Sequence, residues 1–261
     1  MQISVNSKNK KQFVKGLKNA PAKTYYKYGF DKLFGRYRVT WKDDINEYTV
    51  KSLSRISDFD GYLPKISSFK DIILAISTYL ESRKGFILRK PIPFIVFDAI
   101  KKLDTIISPK DKVLEFGSGN STLWFLKKQC RITSIEHSLT WYKVLNDHIN
   151  PLRYDEDTLD HFSYIISENK NTWKLIEEMD DESLDLVLVD GANEFNNRNE
   201  CIERSFSKLK KGGWMVLDNS DHPNNWPGGL YMDSKYERIR FTGFAAMGLY
   251  VSQTSFWQKI D

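Results

Sequence analysis

The sequence predicts an α/β fold: a mostly parallel sheet of seven strands, helices on both faces, and an antiparallel hairpin at the C-terminal end. Beyond residue 110, apolar runs of about four to six residues alternate with amphipathic stretches, a pattern typical of parallel strands linked by helices. Two further β-rich runs, 238–244 and 249–257, are separated only by the sequence Ala-Ala-Met-Gly. So short a connection predicts a hairpin.

The elements of this sheet follow one another regularly along the chain. Strands are predicted over 113–116, 132–136, 162–167, 184–189 and 214–217, and helices over 121–128, 139–148, 173–179 and 194–209. The Lys-Lys-Gly-Gly run at 210–213 is expected to end the last helix before the next strand begins. Because right-handed crossovers bring the C-terminal ends of parallel strands to one edge, we expect ligand-binding residues there.

The N-terminal part of the chain is expected to form a basic accessory region over 1–88, with the main domain over 89–261. Within it, the patterns predict helices over 9–18, 69–82 and 91–107 and a hairpin that pairs 37–41 with 47–52. Residues 1–110 hold 22 Lys and Arg against 10 Asp and Glu, whereas 111–261 hold 17 against 24. This basic region suits a solvated face that packs on the acidic body, or a contact with anionic glycan, membrane surface or nucleic acid.

Composition narrows the class of protein. The 261 residues are 41% hydrophobic and 14% aromatic, which is enough for a substantial core. Cys130 and Cys201 provide neither a disulfide framework nor a zinc spacing, and the chain starts without an apolar signal segment. We therefore expect a cytoplasmic protein. The apolar run 85–100 is too short and too charged to cross a bilayer.

The segment Glu115-Phe116-Gly117-Ser118-Gly119 carries the clearest functional signal. A strand that ends in Gly-x-Gly and runs into a helix exposes bare backbone and unpaired N–H groups to a ligand. A dinucleotide fingerprint would need a third glycine where this chain has Thr122, and the acid before the turn suits a cationic sulfonium better than a pyrophosphate. Glu136 ends the next strand 19 residues after Gly117, where a carboxylate can accept ribose hydroxyls.

Together with Leu-Val-Leu-Val-Asp-Gly-Ala at 186–192, Leu-Asp-Asn-Ser-Asp at 217–221 and the terminal hairpin, these motifs resemble the class I S-adenosylmethionine-dependent methyltransferases. The resemblance covers about residues 90–258 and implies a Rossmann-like sheet with S-adenosylmethionine as cofactor. The cofactor-binding residues that it implies are Glu115, Gly117, Ser118, Gly119, Asn120, Ser121, Glu136, His137 and Asp190. It also implies an acid near the adenine, Glu168, while His137 and Trp141 either flank the ring or pack at a helix start.

Oxygen-bearing side chains end two neighbouring strands of the predicted sheet: Asp190 on one, Asp218 and Asn219 on the next. Such ligands suit Mg²⁺ or another divalent cation. They resemble the metal site of catechol-type O-methyltransferases, in which the ion holds two hydroxyls and lowers the pKa of one. Alternatively, the Asp-Asn pair caps a turn, or Asp190 and Asp218 serve as catalytic residues without metal, with His222 as the general base.

Two nearby side chains allow two interpretations each. Arg198 either faces the molecule that accepts the methyl group or pairs with Glu194 at helical spacing. Trp226, in a Gly- and Pro-rich stretch, either stacks on a sugar or packs in the interior.

The sequence thus favours an O-methyltransferase that acts on a hydroxyl of a sugar, a glycan or another small molecule, with a divalent metal as a further option. The alternative is a nucleic-acid methyltransferase that uses the basic N-terminal region, although the Asn/Asp-Pro-Pro-Tyr/Phe string of amino-directed base methylation is missing. Thr122 and the terminal hairpin oppose a nicotinamide oxidoreductase. A non-catalytic module that binds the cofactor stays open.

Overall fold

The computed structural model describes the following residues: 27–31, 36–42, 47–51, 57–83, 88, 90–149, 154, 156–166, 170–191, 198–248 and 250–261. The strands within them are β1 (Lys27–Asp31), β2 (Arg36–Lys42), β3 (Glu47–Lys51), β4 (Lys112–Phe116), β5 (Arg131–Glu136), β6 (Phe162–Ile166), β7 (Leu184–Val189), β8 (Leu209–Asp218), β9 (Ile239–Phe244) and β10 (Val251–Gln258). The α-helices are α1 (Asp71–Arg83), α2 (Phe97–Ile106), α3 (Asn120–Lys127), α4 (Leu139–His148), α5 (Glu156–Asp160), α6 (Lys170–Glu178), α7 (Arg198–Ser205) and α8 (Trp226–Asp233).

Seven strands form one sheet in the order β6-β5-β4-β7-β8-β10-β9. Strands β4 to β8 are parallel, and β10 runs antiparallel to both β8 and β9. The predicted α/β fold with its C-terminal hairpin is therefore confirmed. The order reverses next to β4, because the chain proceeds outward to β5 and β6 and then returns to β7. A crevice at the strand ends beside such a reversal is where open α/β sheets bind ligands.

Both faces of the sheet are covered, as the continuous apolar strands predict. On β4, Val113 belongs to one buried cluster together with Leu186, whereas Leu114 belongs to the opposite cluster together with Val187. The register pairs Phe116 with both Ile135 and Val189, so the three central strands end at the same level.

Several element boundaries differ from the sequence prediction. The helix predicted over 91–107 starts only at Phe97, since Val96 pairs with Ala245 in an isolated β-bridge. The Lys-Lys-Gly-Gly run is part of β8 rather than a break before it. Gly212 has a φ of +83° and its N–H donates to the Lys259 carbonyl at 2.6 Å, so the strand passes through the glycines as an irregularity and does not end there.

Helix α8 lies in the Gly- and Pro-rich stretch that the sequence suggests is a loop. Its glycines are tolerated because they permit close packing on α7: a Cβ on Gly228 would lie 2.7 Å from Ile202 Cδ1. The predicted hairpin near residue 40 is present as the antiparallel pair β2–β3, which with β1 makes a separate three-stranded sheet. The helix predicted over 9–18 lies outside the described residues.

The segment that precedes α1 is held on the last strands of the main sheet. The buried Asp58 carboxylate accepts hydrogen bonds from Thr242 Oγ1 at 2.7 Å and from Gln253 Nε2 at 2.8 Å. In the described part of the chain, no helix is long and apolar enough to cross a membrane.

Candidate active site

The Gly-x-Gly turn follows β4 directly and lies between the ends of two neighbouring strands. Gly117 has a φ of +90°, and its N–H donates to the Ile135 carbonyl at 2.8 Å. The Phe116 carbonyl accepts the N–H groups of Asp190 at 3.0 Å and Gly191 at 2.6 Å. A Cβ on Gly117 would lie 2.3 Å from the backbone of Gly191. This close approach therefore requires glycine at both Gly117 and Gly191.

Glu115 supports this turn from beneath and is completely buried. Its Oε2 accepts hydrogen bonds from Thr122 Oγ1 at 2.5 Å and Ser134 Oγ at 2.6 Å, while Thr122 Oγ1 accepts the Gly119 N–H at 2.9 Å. Burial raises the pKa of Glu115 to about 7, against the opposing effect of the hydroxyls of Ser121, Ser134 and Thr122. Thr122, which stands where a dinucleotide fold has glycine, thus ties α3 to β4 and β5.

Glu136 connects the end of β5 to the glycine turn. Its Oε2 accepts the Ser118 N–H at 3.0 Å, and its Oε1 accepts the N–H groups of His137 at 2.9 Å and Ser138 at 2.7 Å. A carboxylate offers about four lone-pair positions. Oε1 is therefore fully used, whereas Oε2 can accept a further hydrogen bond from a ligand hydroxyl.

An aromatic side chain borders the turn on the outside. Trp141 Nε1 donates to the Ser118 carbonyl at 2.7 Å, and it is the nearest atom, at 3.9 Å, to a Cβ built on Gly119. The His137 ring lies beside Glu136, with 3.2 Å between Nδ1 and Oε1, and its side chain is 35% exposed. The Trp141 ring therefore lies beside Gly119, and the His137 ring lies beside Glu136.

The remaining predicted cofactor residues lie at the start of α3. Asn120 and Ser121 are buried there, and Asn120 Nδ2 donates to the Lys90 carbonyl at 3.0 Å. Glu168, which the sequence suggests for the adenine, lies outside the described residues.

A second polar cluster forms where β7 and β8 end, and Arg198 at the start of α7 lies among its members. Arg198 Nη2 donates to Asp190 Oδ1 at 3.3 Å, and Nη1 donates to Asn219 Oδ1 at 3.3 Å and to the Asp218 carbonyl. The Asp218 carboxyl also hydrogen-bonds that of Asp190. Asn219 has a φ of +47°, a conformation that asparagine adopts more readily than most residues. The four side chains form one acceptor cluster.

The two carboxyls of the acceptor cluster differ in their surroundings. Burial raises the pKa of Asp218 well above its usual range, the negative charge of Asp190 raises it further, and Arg198 and the Thr254 hydroxyl oppose the shift. Burial also raises the pKa of Asp190, while Arg198 and the hydrogen bond from Asp218 oppose it. The Asp190 side chain is 24% exposed and paired with Arg198, whereas Asp218 is 2% exposed. The charged form is therefore better supported at Asp190, which pairs with Arg198, than at Asp218.

His222 follows β8 and is neutral at physiological pH. Burial and, to a smaller extent, the charge of Arg198 lower its pKa to about 4. His222 Nδ1 accepts the Asn224 N–H at 3.3 Å, which leaves the ring proton on Nε2. In this tautomer the ring donates a hydrogen bond rather than accepting a proton. A general-base role for His222 therefore receives less support from the geometry than the same role for Asp190.

Known proteins resemble the chain over this region. Residues 114–220, which contain both the glycine turn and the acceptor cluster, match a family model described as a methyltransferase domain. Residues 114–220 are therefore similar to a methyltransferase domain. No curated protein matches the chain in sequence.

Solved structures resemble the chain in fold. Cofactor-bound Rv0187 from MTB is 17% identical with a TM-score of 0.51, over 76% of this chain and 97% of that one. The O-methyltransferase TomG from Streptomyces achromogenes, in complex with SAM, is 14% identical with a TM-score of 0.51, over 75% of this chain and 96% of that one. At these identities the likeness shows the fold alone.

The residues of the glycine turn fit S-adenosylmethionine. Gly119 leaves the space in front of the turn without a side chain, and α3 begins there with a helix N-terminus, whose partial positive charge suits a carboxylate. Glu136 Oε2 retains an acceptor position for a ribose hydroxyl. When bound, this cofactor supplies an electrophilic methyl group on a sulfonium sulfur.

A divalent metal fits the acceptor cluster poorly, because Arg198 already lies among Asp190, Asp218 and Asn219. Within the described part of the chain, moreover, no three His, Cys, Asp or Glu side chains come together in a metal-binding arrangement.

The sequence did not indicate that the accessory region packs on the residues that follow the acceptor cluster. The buried Phe59 ring lies 6.3 Å from the His222 ring and 6.0 Å from the Trp226 ring, between centroids. Trp226 is itself 2% exposed and donates from Nε1 to the Asp221 carbonyl at 2.8 Å, so it packs in the interior. No local pattern predicts these contacts, since Phe59 is distant in sequence from both partners.

Proposed function

We propose that the protein transfers the methyl group of S-adenosylmethionine to a hydroxyl oxygen of a sugar, a glycan or another small molecule. The observation that carries the proposal is the paired Asp190 and Arg198 at the end of β7, next to the glycine turn that fits the cofactor. The Asp190 N–H donates to the carbonyl of Phe116, the residue before that turn, which holds the acid beside the methyl donor.

The proposed chemistry is a displacement in which the acceptor oxygen attacks the methyl carbon and the carbon–sulfur bond breaks. Asp190 takes the hydroxyl proton, and the sulfur leaves with the bonding electron pair as neutral S-adenosylhomocysteine. Arg198 keeps Asp190 oriented and offers positive charge beside the oxygen as it loses its proton. Alignment of the oxygen with the methyl–sulfur axis supplies much of the acceleration.

Phe59, supplied by the accessory region, is buried and supports the acceptor side of the site from the interior. It packs against His222 and Trp226, which follow directly after the acceptor cluster.

Transfer of labelled methyl from S-adenosylmethionine to a panel of sugars, catechols and RNA tests the proposal. We expect label in an alkali-stable ether of a hydroxylated small molecule, and loss of that label in Asp190→Ala with cofactor binding retained. Undiminished transfer by Asp190→Ala would overturn the proposal. Label on an RNA base, with salt-dependent binding, would instead favour the nucleic-acid alternative that uses the basic N-terminal region.

A further inference from the structure

Arg198 brings a permanent positive charge to the ends of β7 and β8. Its side chain is 16% exposed, and its N–H groups are directed at Asp190 Oδ1, the Asp218 carbonyl and Asn219 Oδ1. A guanidinium stays protonated throughout the physiological pH range. These three residues are the same ones that the sequence suggests as ligands of a divalent cation.

We infer that Arg198 takes the place of that divalent cation, so that the acceptor site balances the developing negative charge on oxygen with a guanidinium. The inference deepens the proposed O-methyl transfer and rests on it. Arg198 supplies the positive charge that a metal would otherwise supply, so turnover does not require a metal.

The contacts of each potential metal ligand support this inference. Asp190 Oδ1 and Asn219 Oδ1 already accept N–H groups of Arg198, and Asp218 Oδ1 accepts the Thr254 hydroxyl at 2.6 Å. A metal bound to the same oxygens would lie within a few ångströms of the guanidinium and would be repelled by it. The two cations therefore exclude each other.

The replacement changes which acceptors the site can take. A metal of this kind holds two neighbouring oxygens of the substrate. A guanidinium has five N–H donors, and in the described residues three hydrogen bonds leave Nη1 and Nη2. The remaining donors can bind one acceptor oxygen. An acceptor with a single hydroxyl therefore suffices, and a vicinal pair is not required.

Manganese binding to the full chain, measured by electron paramagnetic resonance with S-adenosylmethionine present, tests the inference without an acceptor. We expect no specific Mn²⁺ binding by the wild-type protein or by Arg198→Lys, which retains the charge. Arg198→Met, which removes the charge but keeps a long side chain, is expected to bind Mn²⁺. The double variant Arg198→Met/Asp190→Asn is expected to lose that binding.

Two outcomes would overturn the inference. One is Mn²⁺ binding by the wild-type protein that Asp190→Asn abolishes, since arginine and metal would then share the site. The other is a folded Arg198→Met chain that still binds S-adenosylmethionine but gains no Mn²⁺ affinity. Arg198→Gln provides the same comparison if Arg198→Met does not fold. Because the titration requires no turnover, its failure leaves the proposed O-methyl transfer standing, and a failed transfer assay leaves the Mn²⁺ result intact.

Discussion

The backbone N–H of Phe59 donates a 2.9 Å hydrogen bond to the buried Oδ2 of Asp221, across 162 positions of the chain. The other carboxylate oxygen of Asp221 accepts the Gln253 N–H of β10 at 3.2 Å. One buried acid thus joins the accessory segment, the segment after β8 and the terminal hairpin. This connection places the Phe59 ring against the residues that follow the acceptor cluster.

Truncation of Phe59 should therefore affect both stability and the acceptor side of the reaction. We expect Phe59→Ala to reduce the free energy of unfolding by about 3 kcal/mol through the cavity that it leaves. The KM for the acceptor should rise while the Kd of S-adenosylmethionine stays unchanged. Urea unfolding and steady-state kinetics measure these effects. Leu63→Ala is the matched control, since Leu63 is 66% exposed; equal losses in the two variants would refute the packing role.

Glu115 should make the protein less stable as the pH rises. Burial raises its pKa to about 7 in the folded chain from 4.5, so the folded state binds more protons than the unfolded state between these values. Stability is then fully present below about pH 4.5 and falls by about 3 kcal/mol as the pH rises to about 7.

Glu115→Gln removes this titration, so its stability relative to wild type should increase across the same pH window. Denaturant unfolding at pH values from about 5 to about 8, roughly one pH unit apart, measures the difference in stability. Asp221, whose pKa burial also raises to about 7, titrates in both proteins and cancels in the comparison. Glu178→Gln, at a side chain that is 65% exposed, serves as control. A constant difference between Glu115→Gln and wild type would contradict the prediction.

Asp190 should determine the rate of methyl transfer but not cofactor affinity. We expect Asp190→Asn to lower kcat about 10³-fold, because the amide cannot take the hydroxyl proton. The wild-type rate should fall with decreasing pH as Asp190 becomes protonated, at a pH above the usual range of a carboxyl because burial raises its pKa. Asp181→Asn, just before the same strand and 66% exposed, should leave the rate unchanged. An unaltered pH profile in Asp190→Asn would assign the base elsewhere.

Local sequence patterns were sufficient to predict where the glycine turn, Glu136 and the two acids at neighbouring strand ends lie in the fold. Each of them depends on where a strand stops, and parallel topology then brings the ends together. The register of β4 with β5 and β7 bears this out, because Phe116 pairs with Ile135 on one side and Val189 on the other.

The rest depended on contacts that spacing along the chain does not specify. Spacing alone left two interpretations of Arg198, which could face the acceptor or pair with Glu194. Its contacts with Asp190 and Asn219 follow from how α7 packs beside β7 and β8. Helix α8 contains consecutive glycines that propensity alone disfavours. Its packing on Ile202 of α7 compensates for them. Phe59 meets His222 and Trp226, which follow the acceptor cluster, only in the complete fold.

The glycines around the turn should separate into structural and ligand-facing positions. A Cβ at Gly191 would lie 2.2 Å from Gly117 Cα, so the backbones of two strand ends must move apart. We expect Gly191→Ala to cost about 3 kcal/mol of stability and to abolish S-adenosylmethionine binding as a consequence. Thermal unfolding and calorimetric titration with the cofactor measure the two effects.

Gly119→Ala is the matched comparison, because the same methyl group is added on the other side of the turn. Its φ of 170° is extended backbone that alanine adopts, and the nearest atom to the new Cβ is 3.9 Å away, on Trp141. The fold should therefore keep its stability to within about 0.5 kcal/mol. The methyl group would occupy space in front of the turn, so the Kd of S-adenosylmethionine should rise about tenfold, equivalent to about 1.4 kcal/mol. If Gly119→Ala binds the cofactor as tightly as wild type, the cofactor does not approach the turn from that side.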